Sequence, residues 1–329
     1  MKLDDHFKVL LDDTVNLSQY SLDVLEQRVQ AIYSALANDP ILGPFVRDKI
    51  PQGSWPQRTI IKPAPGREFD ADFLLLLDEN PDWADHPKQY IEGIYAALGR
   101  STTYKSMERH RKCRCVRLVY AESARCHVDI VAYLRLADGR EVIVNRDEDD
   151  WEDTDPDGFT DWMRGKDDIT KGKLRRVIRL LKYLRDHCAG FQGTRSIILT
   201  TLVGERVSEL KTFADPGYYG SVATALRHIV DDLDAWLQAL PGRPSVPDPS
   251  GSGVTFDHRW DDDTFEHFRN RIHMYAEKIA AAYDEPDKDT SVALWQEIFG
   301  DGFHAPPPKE SSGRFAPVAP LPSRSGRAG

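Results

Sequence analysis

One apolar run, from Phe69 to Leu77, constrains the fold most, because it predicts a buried strand that opens with two aspartates. It reads FDADFLLLL and stops before Asn80-Pro81, a pair that breaks regular structure. Alternate residues of a strand share a face, so Asp70 and Asp72 point the same way, about 7 Å apart. Alone, the pair is compatible with a turn cap and a solvated carboxylate. Together with a third carboxylate it would suit a hard divalent cation.

A second apolar strand offers that third carboxylate. The segment from Cys126 to Leu136 reads CHVDIVAYLRL and places Asp129 among apolar residues. An ionised carboxylate there is costly unless it is paired or binds a metal. A lone aspartate would be interpreted as a strand end facing solvent, but next to an Asp-x-Asp strand Asp129 favours metal binding. Two divalent ions about 4 Å apart can hold the attacking and leaving oxygens of a phosphoryl transfer.

Gly53-Ser54 precedes the first strand and predicts a phosphate-binding turn. Glycine lets the backbone approach a phosphate closely, and successive backbone N–H groups in such a turn form an anion nest. The dipeptide has little specificity alone. It gains specificity from its order in the chain, ahead of Asp-x-Asp on one strand and Asp on another.

Composition limits the kind of protein. The chain has 329 residues, 40% hydrophobic and 29% charged, with a formal net charge of −10. That balance indicates a globular protein and argues against a surface that binds nucleic acid stably. The N-terminus lacks the pattern of a signal peptide, no apolar run approaches a membrane span, and four cysteines suggest a reducing compartment. We therefore expect a cytoplasmic protein without membrane contact.

Periodicity predicts an α+β front half and an all-helical back half. The expected regions are an α+β core at residues 1–168 with a long N-terminal helix, a helical lobe at 169–304 and a disordered tail at 305–329. Helices are predicted over residues 4–37, 86–98, 169–187, 196–207, 221–240, 265–283 and 291–299. Strands are predicted over 69–77, 113–120, 126–136 and 141–144, with a hairpin turn at 121–124 and an acidic, irregular segment at 147–168.

The motif order resembles a known superfamily. Gly53-Ser54, Asp70-Ala71-Asp72 and Asp129 occur as in the polymerase-β-type nucleotidyltransferases. The closer resemblance is to the cGAS/DncV-like nucleotidyltransferases of bacterial anti-phage signalling (CBASS), and it covers residues 1–303. It rests on five sequence segments, QGSWPQRTIIKP, REFDADFLLLL, GRPSVPDP, FRNRIHMYAEKIAAAYDE and SVALWQEIFGDGF. The resemblance implies a bilobed fold with a mixed-sheet palm lobe, an N-terminal helix bridging the lobes and a helical C-terminal lobe.

The resemblance also implies roles for individual residues. Asp70, Asp72 and Asp129 would bind two Mg²⁺ ions, for which Mn²⁺ can substitute, with Asp129 nearest the acceptor hydroxyl. Gly53 and Ser54 would bind the β- and γ-phosphates of the donor nucleotide. The remaining implied donor-site residues are Gln52, Thr59, Lys182 of the pattern LLKYLR, and Ser196 at the start of a helix. Some relatives have a base-stacking aromatic after that serine, where this chain has Ile197; Tyr218 or Tyr219 could stack instead or be packing residues.

The resemblance implies that the protein is a Mg²⁺-dependent synthase that joins nucleoside triphosphates, ATP among them, into a cyclic di- or trinucleotide and releases pyrophosphate. A template-independent or linear oligoadenylate-type transferase and a non-catalytic nucleotide-binding scaffold are the alternatives. Regulatory or conjugating proteins of the same defence operon are the expected partners, the latter acting on the tail that ends at Gly329.

Two further motifs partly match known metal-binding patterns, but in each the spacing of the residues argues against a metal site. Asp153, Asp155, Asp157 and Gly158 match the opening of a calcium loop, but the twelfth position is Arg164 where a bidentate glutamate is needed. Five residues resemble a zinc cluster, but its two closest cysteines alternate along a predicted strand as core residues do. These five are His110, Cys113, Cys115, Cys126 and His127. There is no P-loop motif and no GxSxG motif.

Overall fold

The computed structural model describes residues 1–120, 126–188, 190–257 and 260–307, and it has an α+β architecture. The strands are β1 Val46–Gln52, β2 Phe69–Leu77, β3 Arg109–Arg111, β4 Cys115–Tyr120, β5 Cys126–Arg135, β6 Glu141–Asn145 and β7 Asp150–Asp153. The α-helices are α1 Asp4–Val9, α2 Gln19–Ala37, α3 Lys88–Arg100, α4 Pro156–Ile169, α5 Leu174–His187, α6 Ser196–Glu205, α7 Glu209–Ala214, α8 Val222–Gln238, α9 Asp262–Asp284 and α10 Lys288–Phe299.

The strands form one mixed sheet in the order β1-β2-β5-β4-β3, and β6 joins β5 to β7. The two most apolar strands, β2 and β5, lie side by side in parallel, while the other neighbouring pairs are antiparallel. Parallel strands with few polar residues need cover on the sheet face, which α2 and α3 provide. The predicted mixed-sheet lobe is confirmed.

A second hydrophobic cluster belongs to the helices of the back half. It contains the apolar faces of α5, α6, α8, α9 and α10, with Trp295 of α10 fully buried. Phe7 of α1 packs edge-on against Trp295, with ring centroids 4.9 Å apart. The first helix of the chain therefore belongs to the helical lobe, whereas Leu25 and Ile32 of α2 belong to the sheet lobe.

The N-terminal segment bridges the lobes as two helices, and the prediction of one continuous helix over residues 4–37 was wrong. A π-helical turn at Leu10–Val15 follows α1 and ends at Asn16, whose backbone is extended. Asn16 forms an isolated antiparallel bridge with Ile61, and Lys62 N donates to Val15 O at 2.8 Å. Ser18 then caps α2 by accepting from Ser21 N. Tertiary pairing to residues 61–62 interrupts a run whose periodicity is helical throughout.

The acidic segment was also predicted wrongly, since most of residues 147–168 belong to a strand and a helix. They contain β7 and most of α4. Asp155 caps α4 by accepting from Gly158 N at 2.7 Å, and Pro156 occupies the first helical turn. Asp155, which belongs to the partial calcium-loop match, thus caps the N-terminus of α4. The strands β1 and β3 and the short helix α7 were not predicted.

The other predicted elements are present with shifted ends, and Ser221 caps α8 as expected. The hairpin turn at 121–124 and the tail beyond residue 307 lie outside the described residues. The domain boundaries at 168/169 and 304/305 stay predictions. All four cysteines are free. Across the described ranges, none of the helices has the length and apolar character that crossing a membrane requires.

Candidate active site

Four polar side chains form a row across the sheet. Gln52 of β1 pairs in register with Asp72 of β2, Asp72 with Asp129 of β5, and Asp129 with Arg117 of β4. Register partners on adjacent strands project their side chains from the same face. The parallel pairing of β2 and β5 therefore brings together two carboxylates that are far apart in sequence.

Asp70 lies two residues earlier on β2, on the same face, and is 59% exposed. Its register partner is His127, whose Nδ1 lies 3.2 Å from Asp70 Oδ1. The other ring nitrogen, Nε2, pairs with Glu68. His127 thus connects Asp70 to a second carboxylate and fixes the direction of the exposed one.

Asp72 lies between the other two carboxylates without a partner. Within the described ranges, no hydrogen bond or ion pair reaches its side chain. Burial, together with the neighbouring charges of Asp129 and Asp70, raises the pKa of Asp72 to about 7, against a smaller opposing effect of Arg117 and Lys182. Such a carboxylate is electrostatically prepared to accept a cation.

Asp129 is buried and fully paired. Arg117 donates to it from both Nε, 2.8 Å from Oδ1, and Nη2, 2.7 Å from Oδ2. This bidentate hydrogen bonding raises the pKa of Arg117 above its usual range. The apolar strand around Asp129 is therefore compatible with its charge because a guanidinium neutralises it.

The Gly53-Ser54 turn begins where β1 ends. Gly53 has φ = +67°, and a Cβ placed on it would lie 3.0 Å from Asp72 Oδ2. A side chain here would combine an unfavourable backbone conformation with crowding of the carboxylate. Ser54 O accepts from Thr59 N at 2.9 Å, which closes the turn into a compact loop. We call residues 53–59 the phosphate loop.

The helical lobe contacts this loop through Lys182. Its Nζ donates to Thr59 O at 3.0 Å and to Thr59 Oγ1 at 3.1 Å. Burial, assisted by the nearby Arg185 charge, lowers the pKa of Lys182 to about 7. The structure brings Lys182 and Thr59, two predicted donor-site residues, into direct contact.

Ser196 is the first residue of α6 and is exposed. Arg185 Nη1 donates to Ser196 Oγ at 3.0 Å and also to Thr194 O. Tyr218 stacks on His228 with ring centroids 4.0 Å apart, and Tyr219 is buried in the helical cluster, so both are packing residues.

A cavity of about 1040 Å³ lies between the lobes next to the row. Gln52, Gly53 and Asp72 line it at the sheet end. Its apolar lining includes Phe159, Ile197 and Phe256, and its acidic lining includes Glu152, Asp153, Asp155, Asp157 and Asp248. The apolar walls can take a flat base, whereas the acidic row can hold phosphates only through bound cations.

The three aspartates suit a hard divalent cation by type and charge. Asp72 has an unpaired carboxylate with a raised pKa, and the missing Cβ of Gly53 leaves room beside it. As the side chains stand, no group of three or more His, Cys, Asp or Glu residues is arranged to hold a metal ion in the described part of the chain. Asp129 accounts for this, since both of its oxygens accept from Arg117. The donor set fits the metal once Asp129 exchanges its partner.

Comparison with known proteins identifies the family. Residues 1–167, just over half of the chain, match the family model described as "Second Messenger Oligonucleotide or Dinucleotide Synthetase domain", SMODS. The chain belongs to the SMODS family. The resemblance to cGAS/DncV-like nucleotidyltransferases is thereby confirmed, and the chain is a nucleotidyltransferase of the second-messenger kind. SMODS proteins use divalent metal ions.

Relatives of this SMODS protein include a curated enzyme and solved structures. "Cyclic AMP-AMP-AMP synthase" of Acinetobacter sp. (strain ATCC 27244 / 9458) is 21% identical over 276 residues, 82% of this chain and 76% of that protein. Apo DncV of Vibrio cholerae aligns with a TM-score of 0.73 at 14% identity, covering 92% of this chain and 96% of DncV. E. coli MS115-1 CdnC with ATP aligns with a TM-score of 0.69 at 16% identity, covering 92% and 100%. The CdnC:HORMA-deltaN complex aligns with a TM-score of 0.67 at 16% identity, covering 92% and 99%.

Sequence reasoning missed several parts of this SMODS site. Arg117 was not singled out, although it alternates with apolar residues on a predicted strand next to Asp129. His127 was considered only as a zinc ligand. The wall of the cavity at residues 248–256 comes from a Pro/Gly/Ser loop that has no local signal for a binding site.

Proposed function

We propose that this SMODS synthetase joins nucleoside triphosphates, ATP among them, into a cyclic di- or trinucleotide and releases pyrophosphate at each step. The observation that carries the proposal is the row of Asp72 and Asp129 beside Asp70, adjoining both the phosphate loop and the interlobe cavity. The name of the Acinetobacter relative, a synthase of a cyclic trinucleotide of AMP, supports adenine among the substrates.

We assign the metal role to Asp70, Asp72 and Asp129, with two Mg²⁺ ions and Mn²⁺ as a substitute. Bound there, divalent ions would neutralise the triphosphate and lower the pKa of the acceptor hydroxyl. Asp72 lies centrally between Asp70 and Asp129 and is the carboxylate that gains most from a bound cation, because its own pKa is raised by both neighbours. The buried position of Asp129 suits it to orient the acceptor end.

We assign phosphate binding to Gly53 and Ser54, whose turn lies against Asp72. Gln52 completes the donor side at the end of β1. Lys182 and Thr59 hold the far end of the phosphate loop, and Lys182 supplies positive charge to a triphosphate from behind it. Ser196 reaches the phosphates from the start of α6, where backbone N–H groups also favour anions.

The test is a synthesis reaction with all four nucleoside triphosphates and Mg²⁺, followed by phosphatase digestion and mass analysis. A phosphatase-resistant product supports a cyclic messenger. A phosphatase-sensitive ladder indicates linear oligoadenylate-type or template-independent extension. No product, with phage-infected lysate also supplied, indicates a nucleotide-binding scaffold. The double variant Asp70→Asn with Asp72→Asn should abolish synthesis, and retained synthesis would overturn the metal assignment.

We further propose a role in anti-phage defence, in the cytoplasm, under control of a partner protein. CdnC, which shares this fold, forms a complex with HORMA-deltaN, which supports a regulatory protein of this kind. Conjugation through Gly329 concerns residues outside the described ranges. Co-expression with neighbouring operon genes, followed by mass spectrometry of the C-terminus, tests it: an adduct supports conjugation, and an unmodified terminus contradicts it.

A further inference from the structure

Arg117 takes up the whole hydrogen-bonding edge of Asp129. The guanidinium meets both carboxylate oxygens, at 2.8 and 2.7 Å, in the fork-to-fork arrangement that fixes both groups. Asp129 is directly opposite Arg117 in the antiparallel pairing of β4 and β5. The contact therefore follows from strand register, and only the side chains need to move for it to change.

The three carboxylates are neutralised unequally. Asp129 has Arg117, Asp70 has His127 within 3.2 Å, and Asp72 has no partner in the described ranges. Arg117 Nη2 also lies 3.8 Å from Asp70 Oδ1. One guanidinium thus lies within 4 Å of a carboxylate oxygen of both Asp70 and Asp129.

A metal ion and Arg117 would compete for the same carboxylate oxygens of Asp129. Both bind carboxylate oxygens by charge, and a dication placed beside an arginine that is bonded to its ligand meets a like charge. Asp129 can therefore face either Arg117 or the metal ion, and in the part of the chain that the structure describes it faces Arg117, with no three acidic, histidine or cysteine residues placed to hold a metal ion. The other state requires the guanidinium to release at least one oxygen of Asp129.

We propose that Arg117 is a positioning residue that competes with the divalent cation for Asp129. It holds the buried carboxylate in place when metal is absent and releases it when metal binds. The released guanidinium has a matching acceptor in the triphosphate of a bound nucleotide, which is bidentate and anionic like a carboxylate. Metal binding without nucleotide is therefore weakened by Arg117. The inference rests on the proposed function, because it assumes that the three aspartates bind the metal.

The test measures Mn²⁺ binding to the full chain without nucleotide, by electron paramagnetic resonance of free Mn²⁺. Arg117→Met removes the competing charge and retains an apolar stem, so the Mn²⁺ dissociation constant should fall about tenfold. Arg117→Lys keeps the charge but cannot form the fork, so its constant should lie between those of the wild type and the Met variant. Arg111→Met is the matched control, because Arg111 lies on the adjacent strand β3 and pairs with Glu92 instead.

Unchanged or weaker Mn²⁺ binding by Arg117→Met, with the control at the wild-type value, overturns the competition. If the Met variant does not fold, the Lys variant decides, and an affinity equal to or below wild type overturns the proposal. Asp72→Asn is titrated in parallel. Wild-type Mn²⁺ binding by Asp72→Asn would contradict the proposed metal site itself, which separates that failure from a failure of the Arg117 inference.

Discussion

Lys182, on the helical lobe, donates from one ammonium group to both the carbonyl and the hydroxyl oxygen of Thr59, on the sheet lobe. The contact is buried, and it is made at the end of the loop that begins with Gly53. A lysine buried against neutral oxygens is stabilised less in its charged form than one paired with a carboxylate. The junction between the lobes is therefore sensitive to pH and to nearby anions.

The pH dependence of stability should reveal this lysine. Its pKa is lowered to about 7 in the folded protein, while the unfolded chain keeps the proton up to its ordinary pKa of 10.5. Between these values the unfolded state binds more protons, so folding stability rises with pH, by at most about 1.4 kcal/mol per pH unit. Urea unfolding at pH 7 to 9.5 should show this gain in the wild type and not in Lys182→Met. Replacing the exposed Lys278 by Met should leave the gain intact; an equal gain in the Lys182 variant would contradict the burial argument.

Asp72→Asn should separate activity from stability. Without metal, at pH 8, Asp72 is ionised among two like charges, and asparagine relieves that repulsion with little change in shape. The melting temperature in EDTA should rise at pH 8, and the rise should shrink at pH 5, where the wild-type carboxyl is protonated. Synthesis should fall about a thousandfold or more. A lower melting temperature at pH 8 would show that the carboxylate has a stabilising partner.

Gly53→Ala should weaken nucleotide binding through crowding as well as strain. The alanine must adopt φ = +67°, and its methyl group lies 3.0 Å from Asp72 Oδ2. We expect KM for the nucleotide to rise about tenfold. Backbone strain should separately lower the free energy of unfolding by about 1–2 kcal/mol. Gly139→Ala is the control, since φ is +90° and nothing lies within 4 Å of the added Cβ. An equal rise in KM in the two variants would mean that backbone strain, and not crowding of Asp72, causes the weaker nucleotide binding.

Ile197 lines the cavity where a stacking aromatic would help to hold a base. Ile197→Tyr should lower KM for the preferred nucleotide about tenfold, because stacking of a base on an aromatic ring contributes about 1–3 kcal/mol. Ile197→Leu keeps an apolar side chain without a ring and should leave KM unchanged. Steady-state kinetics of the two variants measures the difference. An unchanged or raised KM in the tyrosine variant would mean that the base does not lie beside α6.

The aspartate-bearing strands were predictable from local patterns. Asp70 and Asp72 stand on a strand marked by its apolar run, and Asp129 on another, so their secondary structure follows from short segments. The alignment of Asp72 with Asp129 depends on parallel pairing between strands about fifty residues apart. Alternation places each carboxylate on a face, and only the paired sheet places them side by side.

The wrong predictions arose where distant contacts override local periodicity. The break at Asn16 comes from pairing with Ile61, and neither proline nor glycine marks it in the sequence. The start of α4 did have a signal, since Asp155-Pro156 is a typical helix cap followed by a first-turn proline. The acidic composition of the segment hid that signal. Arg117 escaped notice for a third reason, because its importance lies entirely in its cross-strand partner.

The short segment after the phosphate loop is attached to the lobe opposite its own strands. Ile61 is buried in the helical cluster, Lys62 N donates to Val15 O, and the His187 ring donates from Nε2 to Lys62 O at 2.9 Å. The turn at Gly53 thus has one end fixed to β1 of the sheet and the other to the helices. A rotation that opens the cleft must pull these two ends apart and deform the turn between them. If this turn binds phosphate as proposed, opening of the cleft and release of pyrophosphate would be mechanically coupled.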